Sequence, residues 1–420
     1  MSKERLLVYW DNKQRIGKVW LEPDRKFMFQ YDESWLRSSE AFPISLRLPL
    51  QEAIFDNDRA KIFFSNLLPE GEIREFIAKK LNVSSNNEFS LLERLGGECA
   101  GALSLWPETS LVGNLKGELV PLSSTELENR IDNMQFQPLV LSSNDDIRLS
   151  LAGAQEKLPV HVKDGELYLP KVFPSTHIVK APILRLLNTV ENEAYCMKLA
   201  QKLELHVSNI AVWQGTKQRA LLVERYDRKN KEGDWIRLHQ EDFCQALGVF
   251  PEMKYESEGG PSLSDCFNLI ENHSSQPALD KERLLRWTLY NFIIGNHDGH
   301  AKNLSFLFLD KRIILAPLYD LISTEVYPHL SKKLAMKIGG QNNPRYLLKS
   351  HWEKEAPLLN IKLSFILSEA ISLSGRVVQL LPEYGKQFRE EYGTSKTIEE
   401  IEALIRQRCN YIKDVWKRSI

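Results

Sequence analysis

The chain has 420 residues, which is enough for about two or three domains with separate cores. Hydrophobic residues make up 43% and charged residues 26%, the composition of an ordinary soluble globular protein. A formal net charge of −1 argues against a protein that wraps nucleic acid by itself. We expect no membrane span, because no apolar run approaches roughly 20 residues. We expect no signal peptide, because Met1 to Arg5 leads into only five apolar or aromatic residues. The five scattered cysteines form no CxxC pair and favour a reducing cytoplasm.

Residues 1–107 predict a small mixed α/β subdomain. Aromatic and branched runs separated by turn residues predict a meander of strands at its start. The predicted strands are Leu6–Trp10, Ile16–Leu21 and Phe27–Tyr31. Helical spacing follows over residues 59–96, and residues 101–106 predict a closing strand. The polar stretch 108–146 predicts a linker that contains a short helix.

Residues 147–226 predict a strand-rich lobe, and residues 227–420 predict a helix-rich lobe. The predicted elements of the first lobe are strands over 158–163, 166–169, 177–181, 210–214 and 219–224 and a helix over 190–203. In the second lobe, apolar spacing predicts a buried helix over 282–295 and an amphipathic terminal helix over 397–417. This order predicts an α+β, protein-kinase-like two-lobed fold, with a strand-rich N-lobe and a helical C-lobe behind the N-terminal subdomain.

The strongest chemical signal is the polar segment Asn296 to Asn303 (NHDGHAKN), which is followed by an apolar hairpin and then by Pro317 to Asp320 (PLYD). Asp298 and Asn303 stand five positions apart, and we expect the hairpin to return Asp320 beside Asn303. Protein kinases use this order for a base, a metal-binding amide and a metal-binding carboxylate around the phosphates of ATP. Asp298 is therefore the predicted base, and Asn303 and Asp320 are predicted magnesium ligands.

Two neighbours in this loop, His300 and Lys302, are predicted to offset charge on the transferring group. Two other interpretations stay open. The segment could be a solvated turn, because Asp-Gly is a common turn pair. It could also be a metal site of His297, Asp298 and His300, although this spacing suits neither a helical HExxH pair nor a zinc ribbon.

A weaker signal is the loop Ser150 to Lys157 (SLAGAQEK), whose small residues would let backbone N–H groups approach phosphate oxygens. It has a single glycine, so by itself it is more simply an ordinary loop. Lys180 closes an apolar strand and is either a phosphate contact or a solvated strand end. Glu191 and Glu193 are both available to orient it, and the sequence does not choose between them.

Together these segments resemble the HipA family of bacterial serine/threonine kinases, the toxins of HipA–HipB toxin–antitoxin modules. The resemblance covers nearly the whole chain in order. It is carried by residues 63–71 (FFSNLLPEG), 91–102, 150–157, 176–180 (THIVK), 223–228 (VERYDR), 240–245 (QEDFCQ), 254–261 (KYESEGGP), 298–303 (DGHAKN), 317–320 and 333–336 (KLAM).

The resemblance implies ATP and Mg²⁺ as cofactors and Asp298 as a catalytic residue. His300 and Lys302 are predicted to be catalytic beside it through the charge that they offset. The resemblance also implies autophosphorylation of Ser150, whose added charge of about −1.5 to −2 would weaken ATP binding. The implied nucleotide contacts are Ala152, Gly153, Ala154, Gln155, Glu156, Lys157, Lys180, Glu224, Tyr226, His300, Asn303, Tyr319 and Asp320. The family often has phenylalanine where this chain has Tyr226, which is a mild departure.

For function, the resemblance implies a toxin that phosphorylates a translation-related protein, an aminoacyl-tRNA synthetase in characterised members. Its implied partner is a dimeric, HipB-like DNA-binding antitoxin, through which it would reach operator DNA in the bacterial cytoplasm and nucleoid. One alternative is a small-molecule kinase, against which residues 1–107 and 240–245 argue. The other is an inactive kinase-fold corepressor, against which intact Asp298, Asn303 and Asp320 argue. The sequence decides neither the substrate nor the antitoxin, the toxicity or the oligomeric state.

Overall fold

The computed structural model describes residues 4–110, 117–141, 153, 155–309 and 311–416. Within them, the strands are β1 (Arg5–Trp10), β2 (Gln14–Leu21), β3 (Phe27–Tyr31), β4 (Leu103–Pro107), β5 (Glu118–Pro121), β6 (Lys157–Lys163), β7 (Glu166–Lys171), β8 (His177–Lys180), β9 (Ile210–Gln214), β10 (Arg219–Glu224), β11 (Arg228–Lys231), β12 (Asp234–Arg237), β13 (His239–Asp242), β14 (Ser305–Leu309) and β15 (Arg312–Leu315). The α-helices are α1 (Glu33–Leu36), α2 (Asn57–Ser65), α3 (Gly71–Lys80), α4 (Glu88–Leu95), α5 (Ser124–Asp132), α6 (Thr189–Lys202), α7 (Phe243–Leu247), α8 (Leu263–His273), α9 (Pro277–Ile294), α10 (Lys349–Leu358), α11 (Leu363–Tyr392) and α12 (Lys396–Tyr411).

The N-terminal meander forms as predicted. A four-stranded sheet has the order β3-β2-β1-β4, and β1 pairs antiparallel with both neighbours. Asp11 and Asn12 take positive φ at the β1–β2 turn, a conformation that these short polar side chains tolerate. The predicted helical stretch resolves into α2, α3 and α4. Caps start two of these helices, since Asp56 accepts from Arg59 N and Asn87 accepts from Ser90 N.

A second, six-stranded sheet has the order β5-β7-β6-β8-β10-β9. Its β5 lies in the polar stretch that the sequence predicts as linker and helix. The helix is there as α5, capped by Ser123. The strand escapes prediction because it has only four residues, ends in a proline and lies at the sheet edge, where backbone pairing with β7 holds it.

The chain divides into two compact units. The first comprises residues 1–181, 213–252 and 305–312, and the second comprises residues 182–212, 253–304 and 313–420. One apolar core fills the first unit and takes residues from both the N-terminal subdomain and the six-stranded sheet. Its members include Leu6, Val8, Phe29, Leu92, Leu105, Leu158, Val160, Leu169 and Val179.

Helices dominate the second unit, and α9 lies at its centre. This helix starts with Pro277 at a position that tolerates proline, ends before Gly295 and contacts α8, α11 and α12. By length and hydropathy α11 could cross a membrane, but it packs against α9, α10 and α12 through one buried face, as the core helix of a globular unit does. All five cysteines of the chain are buried thiols.

Candidate active site

The end of α9 fixes where the polar loop begins. Gly295 has φ +69°, a left-handed conformation that favours glycine. A Cβ at this position would lie 2.5 Å from Leu404 Cδ2 and 2.8 Å from Glu325 Cβ, so the packing also excludes a side chain. The loop therefore leaves the helix at one defined residue, and the three residues that follow are Asn296, His297 and Asp298.

Asn296 ties the loop to the segment that carries Asp320. Its Nδ2 donates to Asn291 Oδ1 at 3.0 Å and to the backbone oxygen of Asp320 at 3.2 Å. Its Oδ1 accepts from the backbone N–H of Asp298 at 3.0 Å. The side chain is buried, and it is not among the site residues predicted from the sequence. The sequence feature that could have indicated Asn296 is its place directly after Gly295, a glycine at the end of a predicted helix.

Asn303 and Asp320 lie together, as the sequence predicts. Asn303 Nδ2 is 3.0 Å from Asp320 Oδ2, and Asn303 Oδ1 accepts from the backbone N–H of His300 at 3.1 Å. Asp320 has φ +78°, a conformation that costs free energy in non-glycine residues and often marks a functional site. One carboxylate beside an amide fits Mg²⁺, which usually takes only one or two protein carboxylates. Their role as ligands stays a prediction.

The segment that carries Asp320 is held firmly within the second unit. The backbone of Leu318 pairs with His206 and Ser208 at 2.8 and 2.9 Å. After Asp320, the backbone of Ser323 exchanges two hydrogen bonds of 2.9 Å with the side chain of Asn192, a fully buried residue of α6. These contacts fix the carboxylate from both sides along the chain.

The remaining predicted residues of the loop are close by. His300 and Lys302 are buried, and Tyr319 Oη donates to the backbone oxygen of Lys302 at 3.1 Å. Asp298 is half-buried, and its Oδ1 accepts a 2.5 Å hydrogen bond from Tyr255 Oη. Tyr255 is not among the site residues predicted from the sequence. The structure thus joins the polar loop to the segment after the hairpin through the contacts of Asn303 with Asp320 and of Lys302 with Tyr319.

His297 contacts Thr324 and Glu325, which are not among the predicted site residues. Its backbone N–H donates to Thr324 Oγ1 at 2.8 Å, and its Nε2 lies 3.1 Å from Glu325 Oε2. Burial lowers its pKa, although the charge of Glu325 acts in the opposite direction. Among the described residues, no group of three or more His, Cys, Asp and Glu side chains is arranged to hold a metal ion.

A second set of predicted residues lies in the first unit. Gly153 has φ +117°, and a Cβ there would overlap Lys157 Nζ, so glycine lets the lysine lie over the loop. The backbone oxygen of Gly153 accepts from Glu70 N at 3.1 Å, which joins the loop to the N-terminal subdomain. Ser150, Ala152 and Ala154 lie outside the described residues.

The next two loop residues anchor its end. Gln155 Nε2 donates to the backbone oxygen of Ala181 at 2.8 Å. Glu156 Oε2 accepts from Leu139 N at 3.0 Å, and Glu156 Oε1 is buried without a hydrogen-bond partner. Burial raises the pKa of Glu156 to about 7.

Lys157 and Lys180 face each other directly across β6 and β8. Opposite residues of an antiparallel pair project from the same face, and like charges in that position are destabilising. Two basic side chains on one face of the sheet suit the predicted phosphate contact. Of the two carboxylates considered for Lys180, Glu193 is buried in α6 and Glu191 is half-buried.

The predicted adenine contacts lie at the end of β10. Glu224 is exposed, and Tyr226 is half-buried with its hydroxyl donating to Gln240 Oε1. Arg225 and Asp227, on either side of Tyr226, are buried and bonded to each other at 2.8 Å. This buried pair fixes the backbone of the segment that carries Glu224 and Tyr226.

A wider ionic network surrounds that pair. Arg225, Arg228 and Arg237 approach the carboxylate of Glu98 to 3.3, 3.0 and 3.3 Å. Burial would raise the pKa of Glu98, but the three guanidinium groups lower it to about 2. Glu98 belongs to the N-terminal subdomain, so that subdomain helps to hold the end of β10.

The α+β architecture and the Asp–Asn–Asp loop define a kinase-like protein. The sequence matches the HipA-like C-terminal domain over residues 149–383 and the HipA N-terminal domain over residues 6–106. The chain therefore belongs to the HipA family.

Named relatives and a solved structure agree with this assignment. The chain is 40% identical to "Putative kinase Y4mE" of Sinorhizobium fredii, over 90% of this chain and 93% of that protein. It is 30% identical to the serine/threonine-protein kinase toxin HipA of Shewanella oneidensis, over 85% and 84% of the two chains. The structure of the complex of HipA, HipB and operator DNA from Shewanella oneidensis contains a chain that matches with a TM-score of 0.84 and 26% identity, over 98% of this chain and 99% of that one.

Proposed function

We propose that this chain is an ATP- and Mg²⁺-dependent serine/threonine protein kinase and the toxin of a toxin–antitoxin module. The observation that carries the proposal is the 3.0 Å approach of Asn303 to Asp320, on a scaffold that Asn296 ties to Asp298. Phosphoryl transfer needs positioning and charge neutralisation more than covalent chemistry. These residues are of the types that supply both.

In this proposal each residue has a separate task. Asp298 accepts the proton of the attacking hydroxyl, and His300 and Lys302 offset developing charge. Asn303 and Asp320 would hold the magnesium ion, which when bound would neutralise charge on the phosphates.

The first unit supplies the proposed nucleotide contacts. Residues 152–157 and Lys180 contact the phosphates, and their two facing lysines support this role. Glu224 and Tyr226 line the adenine, and Tyr319 and His300 contribute further contacts. The proposed segments are the subdomain 1–107, the linker 108–146, the strand-rich lobe 147–226 and the helical lobe 227–420.

The proposed substrate is a translation-related protein, an aminoacyl-tRNA synthetase being the expected class. The proposed partner is a dimeric, HipB-like antitoxin that carries the chain to operator DNA in the cytoplasm. The similarity to a chain from the complex of HipA, HipB and operator DNA supports this partner. Autophosphorylation of Ser150 would switch the kinase off by adding charge to the phosphate loop.

The test is incorporation of labelled phosphate from ATP with magnesium by the purified chain. Asp298→Asn should lower the rate about 10²–10⁴-fold, because it removes the general base. Asp234→Asn is the matched control, since Asp234 lies exposed in the β11–β12 hairpin, and it should label like the wild type.

Mapping the labelled sites in the same samples tests the switch, with phosphate expected on Ser150 in the wild type alone. Equal, background-level labelling of wild type and Asp298→Asn would contradict the kinase proposal and favour the corepressor. Labelling of small molecules but of no protein in a lysate would favour a small-molecule kinase.

A further inference from the structure

Tyr255 makes a contact that the proposed mechanism does not use. Its hydroxyl donates to Asp298 Oδ1 at 2.5 Å. Its ring meets His300 edge-on, with ring centroids 5.3 Å apart and an interplanar angle of 78°. One aromatic side chain therefore touches two residues of the polar loop.

Hydrogen bonds on both sides of Tyr255 hold the backbone of this segment in place. The backbone oxygen of Tyr255 accepts from Glu258 N and Gly260 N, both at 2.9 Å. Glu256 N donates to Ala335 O at 3.1 Å, and Glu256 Oε2 accepts from Lys337 N at 2.6 Å. A Cβ at Gly260 would overlap the backbone oxygen of Met253, so the turn also requires glycine there. These hydrogen bonds fix the backbone at Tyr255 and so hold its hydroxyl beside Asp298.

A donor on one carboxylate oxygen has a definite effect on a general base. It fixes the rotation of the carboxylate and leaves the second oxygen to receive a proton. Catalytic bases are commonly oriented by such a third group, which does not itself touch the reacting atoms. In Asp298, Oδ1 is the oxygen that Tyr255 holds, so Oδ2 is the oxygen that would face the acceptor hydroxyl.

We propose that Tyr255 is a positioning residue that holds Asp298 in the orientation needed to accept the hydroxyl proton of the substrate. The inference rests on the proposed kinase function and deepens it. It makes the segment 254–261 part of the catalytic apparatus.

The test is Tyr255→Phe in the full chain, which keeps the ring against His300 and removes only the hydroxyl. Labelled phosphate transfer from ATP with magnesium should show kcat lower by about 10-fold, the scale of one hydrogen bond to a charged group, while KM for ATP stays within about twofold. Tyr384→Phe is the matched control. Its hydroxyl donates to the backbone oxygen of Tyr195 at 2.6 Å within the helices, so its loss should leave kcat unchanged.

Single-turnover rates in an Asp298→Asn background separate positioning from a general structural role. If Tyr255 acts through Asp298, adding Tyr255→Phe to Asp298→Asn should cause no further loss. A further loss equal to that seen in the wild-type background would overturn the inference.

Other outcomes overturn it in distinct ways. An active wild type with an unchanged Tyr255→Phe would remove the positioning role and leave the kinase proposal standing. A faster Tyr255→Phe would mean that the hydroxyl blocks the base instead of orienting it. An inactive wild type would overturn the kinase proposal, and the inference with it.

Discussion

At the scale of single residues, the carboxylate of Glu98 lies among three guanidinium groups. It is buried among Arg225, Arg228 and Arg237, and its pKa falls to about 2. A buried ion pair adds little net stability over a well-packed apolar alternative, but removal of one partner leaves uncompensated charge. Asp227 also pairs with Arg225 and Arg228, but Glu98 is the carboxylate that all three arginines share.

We therefore expect Glu98→Ala to lower the free energy of unfolding by about 3–5 kcal/mol. Urea denaturation at pH 7 measures this change. Glu204→Ala is the control: Glu204 is 86% exposed and pairs with Arg376 at the surface, so its removal should cost about 0–1 kcal/mol. Equal effects of the two substitutions would contradict the role of the network.

The same residue gives a pH dependence with a definite sign. The pKa of Glu98 is depressed in the native state from the ordinary 4.5 to about 2, so its contribution to stability is fully present above pH 4.5. It should be lost as the pH falls toward 2. Between pH 4.5 and about 2, the free energy of unfolding should therefore depend less on pH in the Glu98→Ala variant than in the wild type.

At the scale of elements, the sequence predicts best what depends on local pattern. The strands β1–β3 and β9–β10 form where apolar runs and turn residues indicate, and α9 forms where its apolar spacing does. The edge strand β5 is missed because backbone pairing with β7 holds it. The apolar spacing alone does not define where a helix begins or ends. Capping side chains and glycines define these ends, as Asp56 does for α2 and Gly295 for α9.

The candidate site divides in the same way. Asp298, Asn303 and Asp320 are recognisable because their order along the chain carries the signal. Tyr255 is missed because its partner Asp298 lies 43 positions away, and the bond from Asn296 to Asp320 spans 24 positions. No short-range pattern reports a hydrogen bond between residues so far apart, so these supports became visible only in the fold.

Directly before β6, at the end of the predicted phosphate loop, lies the carboxyl group of Glu156. Burial raises the pKa of Glu156 from the ordinary 4.5 to about 7, so the native state keeps a proton that the unfolded chain has lost. Stability should accordingly fall as the pH rises from about 4.5 to about 7, by about 2–3 kcal/mol from this group.

Glu156→Gln is the test, because it keeps the shape and removes the titration. Thermal melts between pH 5 and pH 8 should lose part of their pH dependence in this variant. The control Glu118→Gln changes an exposed carboxyl group in β5 and should leave that dependence unaltered. Identical pH profiles for wild type and Glu156→Gln would refute the assignment.

At the scale of the whole molecule, the N-terminal subdomain and the six-stranded sheet behave as one folding unit. Their buried apolar residues form a single core. Glu70 N donates to Gly153 O in the predicted phosphate loop, and Glu98 pairs with Arg225 and Arg228 at the end of β10. The subdomain is thus a structural part of the proposed nucleotide-binding half rather than an appendage to it.

Removal of residues 1–146 should therefore expose the apolar face of the sheet and leave Arg225, Arg228 and Arg237 without Glu98. We expect the fragment 147–420 to be insoluble or to lack a cooperative melting transition, since both the buried area and the charge balance are lost. Co-expression of residues 1–146 as a separate chain should restore solubility and yield a complex that purifies intact, because the contacts do not need a continuous backbone. If the isolated fragment melted cooperatively at the temperature of the full chain, the two parts would be independent domains, and Glu98 could not be a support of β10.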